Sequence, residues 1–227
     1  MGTASGRNKE GNERDPHDYY PTPPWCVHRL LEKIDLNANG VWLEPAAGNG
    51  ALVKATNNWF DTTGKPTPAT WITNEIRQEE SADYHRDFTA LSTLKLFQEK
   101  EIDVFITNPP FALADIFLEH ALRLRNASGE PPIIVMLLRL QWMATRGRAA
   151  LMQQHTPTLA VLPDRPNFTT TGNGDMCEYA WHIWEHPKHK ASTIMLNTTE
   201  VRQRRGLHKN IYVPLFETPK ESLSLFG

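Results

Sequence analysis

Asn108, Pro109, Pro110 and Phe111 close an apolar run that begins at Ile102, and their residue types suit one chemical task. Two consecutive prolines remove two N–H donors and stiffen the turn, so the Pro109 carbonyl can be aimed outward without a competing ladder bond. An Asn amide oxygen beside a rigid carbonyl makes two acceptors for one planar NH2 group, and Phe111 offers a face on which the attached ring stacks. The group implied is an exocyclic amine. Taken alone, the same four residues also fit a proline strand terminator with an Asn helix cap, so the upstream pattern carries weight.

Upstream, the run from Leu43 to Ala51 leads a strand into Gly48 and Gly50. Glycines there let the backbone approach a ligand and present free N–H groups at the start of a helix. The run lacks the third glycine of GxGxxG and any GKS/T, which disfavours a dinucleotide pyrophosphate or a triphosphate. Glu44 at the strand end repels phosphate and suits an ammonium, so a cationic or zwitterionic ligand is expected. Glu75 closes the next strand, where a carboxylate accepts both hydroxyls of a ribose. Asp87 is placed to accept from an adenine amino group while Phe88 packs on the base. Each acid alone would pass for a solvated strand end; their succession on three strands is what points to a site.

The elements that position these residues follow from periodicity. Val27, Leu30, Leu31 and Ile34 recur at helical spacing after a proline-rich stretch, and residues 37–40 supply a stop. Strands are expected at 41–45, 71–76, 84–87 (after a brief helix), 102–107, 132–138, 158–162 and 179–184. Helices are expected from about 50 to 58 and from 112 to 124, with a basic helical stretch at 143–155 and a long loop at 60–70. Apolar strands alternating with helices predict an α/β fold: a seven-stranded, mainly parallel sheet with an antiparallel edge hairpin and helices on both faces. In such sheets ligands sit at the carboxyl ends of the strands, where Glu44, Glu75, Asp87 and Asn108 fall.

With 227 residues, 40% hydrophobic, the chain suffices for one well-filled domain. No apolar run approaches the roughly 18 to 20 residues of a membrane span. The first 15 residues have no apolar signal core, so a cytoplasmic location is expected. Cys26 and Cys177 form no CxxC pair, and the histidine-containing segment 186–190 suits a surface turn, so no metal is expected. Residues 1–17 are expected to be a disordered tail, 18–186 the catalytic domain and 187–227 an extension able to contact nucleic acid. The net charge of −2 conceals an asymmetry: residues 1–140 carry 14 basic and 19 acidic side chains, residues 141–227 carry 10 and 7. Arg146, Arg148, Arg165, Arg202, Arg204, Arg205 and Lys209 could neutralise phosphates as a set, although each alone suits a solvated face. The polar segment 169–175 fits a groove-probing loop and a plain hairpin loop equally.

Taken in order, residues 19–23, Glu44 to Gly50, Glu75, Asp87 and Asn108 to Phe111 resemble the motifs of the class I S-adenosylmethionine-dependent, adenine-N6-specific DNA methyltransferases, marked by [N/D]PP[Y/F]. The resemblance covers about residues 18–186. The motif order resembles the gamma-type arrangement, and segments 162–168 and 178–184 look like the late strands of small phage or prophage members. It implies a Rossmann-like fold, S-adenosylmethionine as cofactor, DNA as partner and transfer of a methyl group to adenine N6. It further implies that Tyr20, Thr22 and Pro23 border the methionine end of the cofactor, with Gly48 and Gly50 beneath it and Glu44 near its amino group. Glu75 would hold the ribose, and Asp87 with Phe88 the adenine, with Pro45, Ala46 and Ile76 also at the cofactor. Asn108, Pro109, Pro110 and Phe111 would hold a flipped target base, with Asn108 also beside the cofactor. Phe168 suits the base's other face and a place in the core equally. Two departures stand out: Glu44 where many relatives have Asp, and a Gly50-to-Glu75 separation lengthened by the 60–69 loop. The same fold acting on an RNA or protein amine or amide, or a catalytically inactive nucleic-acid-binding module, stays open, as does the oligomeric state between monomer and weak dimer.

Overall fold

A computed structural model describes residues 20–36, 39–65, 70–168, 177–188 and 192–195. The expected tail 1–17, the segment 169–175 and Arg202, Arg204, Arg205 and Lys209 lie outside these. The described elements are α1 (Pro24–Lys33), β1 (Val41–Glu44), α2 (Ala51–Thr63), β2 (Thr70–Thr73), α3 (Leu91–Gln98), β3 (Val104–Thr107), α4 (Ala114–Ala121), β4 (Ile133–Arg139), α5 (Ala149–Gln154), β5 (Thr158–Val161), β6 (Tyr179–Trp184) and β7 (Thr193–Met195). The strands form one sheet in the order β2-β1-β3-β4-β6-β5-β7. β6 alone runs against its neighbours, pairing antiparallel with β4 and β5. None of the described helices is long and apolar enough to cross a membrane.

The two-faced sheet follows from strand composition. Residues 133–138 of β4 are all buried, and alternate side chains go to opposite layers. Val135 and Leu137 join Leu30 and Leu31 of α1 and Leu52, Trp59 and Phe60 of α2. Ile134, Met136 and Leu138 join Leu94 and Phe97 of α3 and Phe117 and Leu118 of α4. A continuously apolar strand is therefore flanked by helices on both sides, as the sequence pattern predicts.

Several details differ from the expectation, for physical reasons. α2 continues to Thr63 because Trp59 and Phe60 are drawn into the core, and Gly64, at φ 66°, ends the helix. The expected loop at 60–70 is shortened accordingly. The third expected strand shrinks to one parallel bridge between Asn74 and Tyr84, with no helix before it. There, the Asp83 carboxylate accepts the Thr73 N–H and hydroxyl, each at 2.8 Å, so a side chain replaces ladder bonds. The seventh strand is β7, parallel to β5 and past residue 186. The antiparallel β5–β6 pair is therefore not at the sheet edge: β7 covers β5, and β6 lies between β4 and β5, buried along its whole length, which accounts for its aromatic composition. α3 was not anticipated, although Leu94 and Phe97 mark its buried face.

Gly40 precedes β1 where the chain passes Asp103. A Cβ there would lie 2.5 Å from Asp103 Cβ and 2.7 Å from the Oδ2 that accepts the Val41 N–H. Gly40→Ala should therefore lower stability by about 1–3 kcal/mol. Urea denaturation checks this; an unchanged midpoint would contradict the close β1–β3 approach.

Candidate active site

The carboxyl ends of β1, β2 and β3 open onto a cleft. Glu44, Glu75, Asp87 and Asn108, separated by up to 64 positions in sequence, all line it, as do Tyr20, Thr22, Pro45, Ala46, Gly48, Ile76, Phe88 and Pro110. Pro23, Gly50, Pro109 and Phe111, also expected at the site, do not line this cleft. Gly50 instead shapes the turn: at φ 74° it caps α2, a conformation that suits glycine.

The cleft walls are held by Asn74, which sequence reasoning did not single out. Its Nδ2 donates to the carbonyls of Pro45 (2.9 Å) and Arg86 (3.0 Å), and its Oδ1 accepts the Arg86 N–H (3.1 Å). Its backbone N–H donates to the Glu44 carbonyl and its carbonyl accepts the Ala47 N–H, each at 2.9 Å. One buried amide thus ties together the segments that carry Glu44, Glu75 and Asp87. The legible signal was an Asn immediately before a strand-end acid.

Glu75 is fixed by three donors. Oε2 accepts the Gly48 N–H at 2.8 Å, while Oε1 accepts the Arg77 N–H at 3.0 Å and Arg77 Nε at 2.9 Å. Burial works to raise its pKa, but the Arg77 side chain and these N–H groups outweigh burial and hold it below the ordinary carboxylate value. A carboxylate has about four acceptor positions, so three donors leave room for roughly one ligand hydroxyl. The expected bidentate grip on a ribose is therefore halved unless a donor moves.

Glu44 is in the opposite condition. It is 1% exposed and its Oε1 accepts one N–H, from Ala46 at 3.0 Å. Burial pushes its pKa from the ordinary 4.5 up to about 8, with the Glu75 charge adding to the rise and the Thr107 hydroxyl and Ala46 N–H opposing it. Asp87 Oδ1 is occupied by the Thr89 N–H and hydroxyl at 2.8 and 2.7 Å. Phe88 is a core residue, packed among Phe97, Phe105, Phe117 and His120, so its ring is a wall and not an open stacking face.

Asn108 donates from Nδ2 to the Tyr20 carbonyl at 3.1 Å, while its buried Oδ1 has no hydrogen-bond partner among the described residues. Phe111 turns away from the cleft toward Tyr179, at 5.8 Å between ring centroids, with the Arg139 guanidinium 5.2 Å from its ring centre. Phe168 packs on Tyr179 at 5.1 Å and near Tyr20 at 6.1 Å. These rings make an aromatic patch beside Asn108, and Arg139 and Tyr179 are members that sequence reasoning missed.

The expected phosphate-facing arginines vary in their engagement. Arg148 is paired with Asp115, donates to the Trp142 carbonyl and stacks over the Trp142 ring. Arg165 pairs with Glu178 at the surface, and Arg146 is exposed. His182 and His186 stand four residues apart, but that spacing joins ligands on a helix and not along a strand. His182 is buried in β6, which pushes its pKa down to about 4, and His186 meets the Asp35 carbonyl. Among the described residues no cluster of three His, Cys, Asp or Glu could hold a metal.

No family model matches the sequence, and no curated protein matches it. Solved structures do. The chain is similar to a protein described as a class I S-adenosylmethionine-dependent methyltransferase from Listeria monocytogenes, at TM-score 0.52 and 16% identity over 77% of this chain and 64% of that one. It is also similar to a protein described as a modification subunit of a type I restriction enzyme from Vibrio vulnificus YJ016, at TM-score 0.53 and 15% identity over 81% and 48%. The chain spans less than two thirds of either. At these identities the shared property is the fold, a Rossmann-like sheet of the class I methyltransferase type.

The condition of Glu44 predicts a pH dependence. Between 4.5 and about 8 the folded chain retains a proton that the unfolded chain has lost, so this residue makes stability fall as pH rises through that window. Glu44→Gln should remove the penalty. Its advantage over the wild type in denaturant unfolding should grow from about pH 5 to pH 8, at up to about 1.4 kcal/mol per unit. A pH-independent difference would contradict the raised pKa.

Proposed function

We propose that this chain binds S-adenosylmethionine in the cleft and transfers its methyl group to the N6 amine of adenine in DNA. The observation that carries the reading is the convergence of Glu44, Glu75, Asp87 and Asn108 on one cleft, with the buried Asn108 Oδ1 lacking a partner. The donor and acceptor set fits the cofactor: an acid at the amino-acid end, an ionised acid for a ribose hydroxyl, and Asp87 for an adenine amine. Ile76 and Leu113, both partly exposed at the cleft, offer apolar faces for a base. The Gly48 N–H is spent on Glu75, which leaves the turn poorly suited to a phosphate. When bound, S-adenosylmethionine supplies an electrophilic methyl on a sulfonium.

The task of the chain is then positioning. An adenine amine is a poor nucleophile because its lone pair delocalises into the ring. Asn108 Oδ1, as an acceptor, favours a pyramidal nitrogen and holds its lone pair in line with the methyl. No strong base is needed. A duplex adenine must leave its stack to arrive, and the half-buried rings of Tyr20 and Phe168 offer apolar surface for it, with the buried Tyr179 behind Phe168. DNA as the acceptor is supported by the NPPF motif and by the basic balance of residues 141–227, of which Arg146 is exposed.

Asn108→Ala should reduce methyl transfer at least about 100-fold, as for loss of an oriented polar group in a reacting site, with cofactor affinity within a few-fold of wild type. Lost cofactor binding with preserved turnover at saturation would contradict the base-holding role. Glu75→Ala should weaken S-adenosylmethionine binding about 10-fold or more by calorimetry. An unchanged affinity would remove Glu75 from the ribose site.

A further inference from the structure

The cleft contains two glutamates in contrasting surroundings. Glu75 accepts three donors, which leave room for about one more, and is kept ionised. Glu44, at the end of β1, is more deeply buried, accepts one backbone N–H, and has no Lys, Arg or His paired with it among the described residues. Charged groups face this cleft from the elements around it. Glu75 and Arg77 follow β2, and Arg86 and Asp87 precede α3. Arg77 is committed to Glu75 and lies 3.5 Å from Glu80. The β3 end contributes Thr107 and Asn108, which do not titrate, and Lys54 of α2 donates to the Asn49 carbonyl. The nearest acid, Glu75, opposes a second negative charge.

A buried carboxylate with no cation is costly, and the cheaper state keeps the proton. The same wall that disfavours the free carboxylate would favour a carboxylate–ammonium pair, because attraction strengthens where water is excluded. Two acids whose environments separate their protonation states commonly divide two roles between them. Here the ionised acid accepts a hydroxyl, and the neutral acid waits for a cation.

Building on the reading of the cleft as a site for an amino-acid-bearing nucleoside, we propose that Glu44 is a proton-exchanging counter-ion. It carries a proton in the ligand-free protein and gives it up to solvent as the ligand's α-ammonium docks. The balance is simple: the O–H bond of Glu44 breaks, the proton passes to water, and the ammonium N–H donates to the carboxylate that remains. Burial, which raises the Glu44 pKa to about 8, agrees with the protonated starting state near neutral pH. The exchange makes the cleft discriminate by charge, since a ligand without the ammonium has nothing with which to displace the proton. It also makes capture tighten as pH rises toward 8.

Calorimetry of the full chain with S-adenosylhomocysteine, at pH 6.5 in buffers of different ionisation enthalpy, counts the protons. The expected result is release of roughly one proton per ligand, with affinity rising about tenfold from pH 6 to pH 7. 5′-Methylthioadenosine, which lacks the amino-acid portion, should bind without release, and Glu44→Gln should abolish the release seen with S-adenosylhomocysteine. Binding without proton release overturns the exchange, as does equal release in Glu44→Gln. Should Glu44→Gln not fold, the wild-type comparison of the two ligands decides. If S-adenosylhomocysteine does not bind at all, the cleft reading itself fails, and the exchange with it.

Discussion

The cleft depends on one buried amide. Asn74 donates to carbonyls on two different segments and accepts an N–H from one of them, while its own backbone continues the ladder to β1. The β1 turn, the end of β2 and the segment through Arg86 are thereby locked together where regular strand pairing has stopped. A side chain is needed because the Tyr84 segment makes only a single bridge to β2. With that amide satisfied on both ends, Glu44, Glu75 and Asp87 have fixed positions relative to one another; an unsatisfied buried amide would leave several backbone groups without partners.

From this frame, the electrostatics of the site follow. Arg77, with its side chain and backbone N–H, outweighs burial and keeps Glu75 ionised; the Gly48 turn comes close enough to add its own N–H, which removes a donor that a phosphate would need. The same closeness leaves Glu44 buried behind the turn with a second carboxyl nearby, which raises its proton affinity. The chemical character of the cleft, hydroxyl-accepting at one acid and cation-accepting at the other, is thus a consequence of how tightly the β1 turn is packed on β2. Asn108 then contributes what neither acid does, an acceptor that is buried and unpartnered in the described structure.

Much of this was legible in the residues themselves. The continuous apolar runs of β3 and β4, the glycine turn after β1 and the NPPF segment announce a parallel sheet with a ligand at its carboxyl ends. The acids at 44, 75 and 87 do converge on one cleft, as their strand-end positions suggest. What was not legible depends on partners distant in sequence. β7 is three residues that count only because β5 lies alongside, and the Tyr84 strand yields to the Asp83–Thr73 bonds. Phe111 was expected to face the ligand, yet Tyr179 and Arg139 draw it to the neighbouring patch. Phe88 reads as a stacking ring beside Asp87, but an aromatic cluster from α3, β3 and α4 encloses it. Local pattern marks where side chains leave a strand end; packing decides which of them reach the cavity.

Methyl transfer from the convergent cleft to an adenine amine in DNA is the proposal on which the reading of the site stands. Its most direct measurement is to incubate the chain with methyl-labelled S-adenosylmethionine and mixed DNA, RNA and protein acceptors, then digest each and identify the labelled component. The expected result is label in the DNA digest as N6-methyladenine. Label confined to RNA or protein, or on another base, would contradict the acceptor assignment, and no label in any fraction would contradict the claim of methyl transfer.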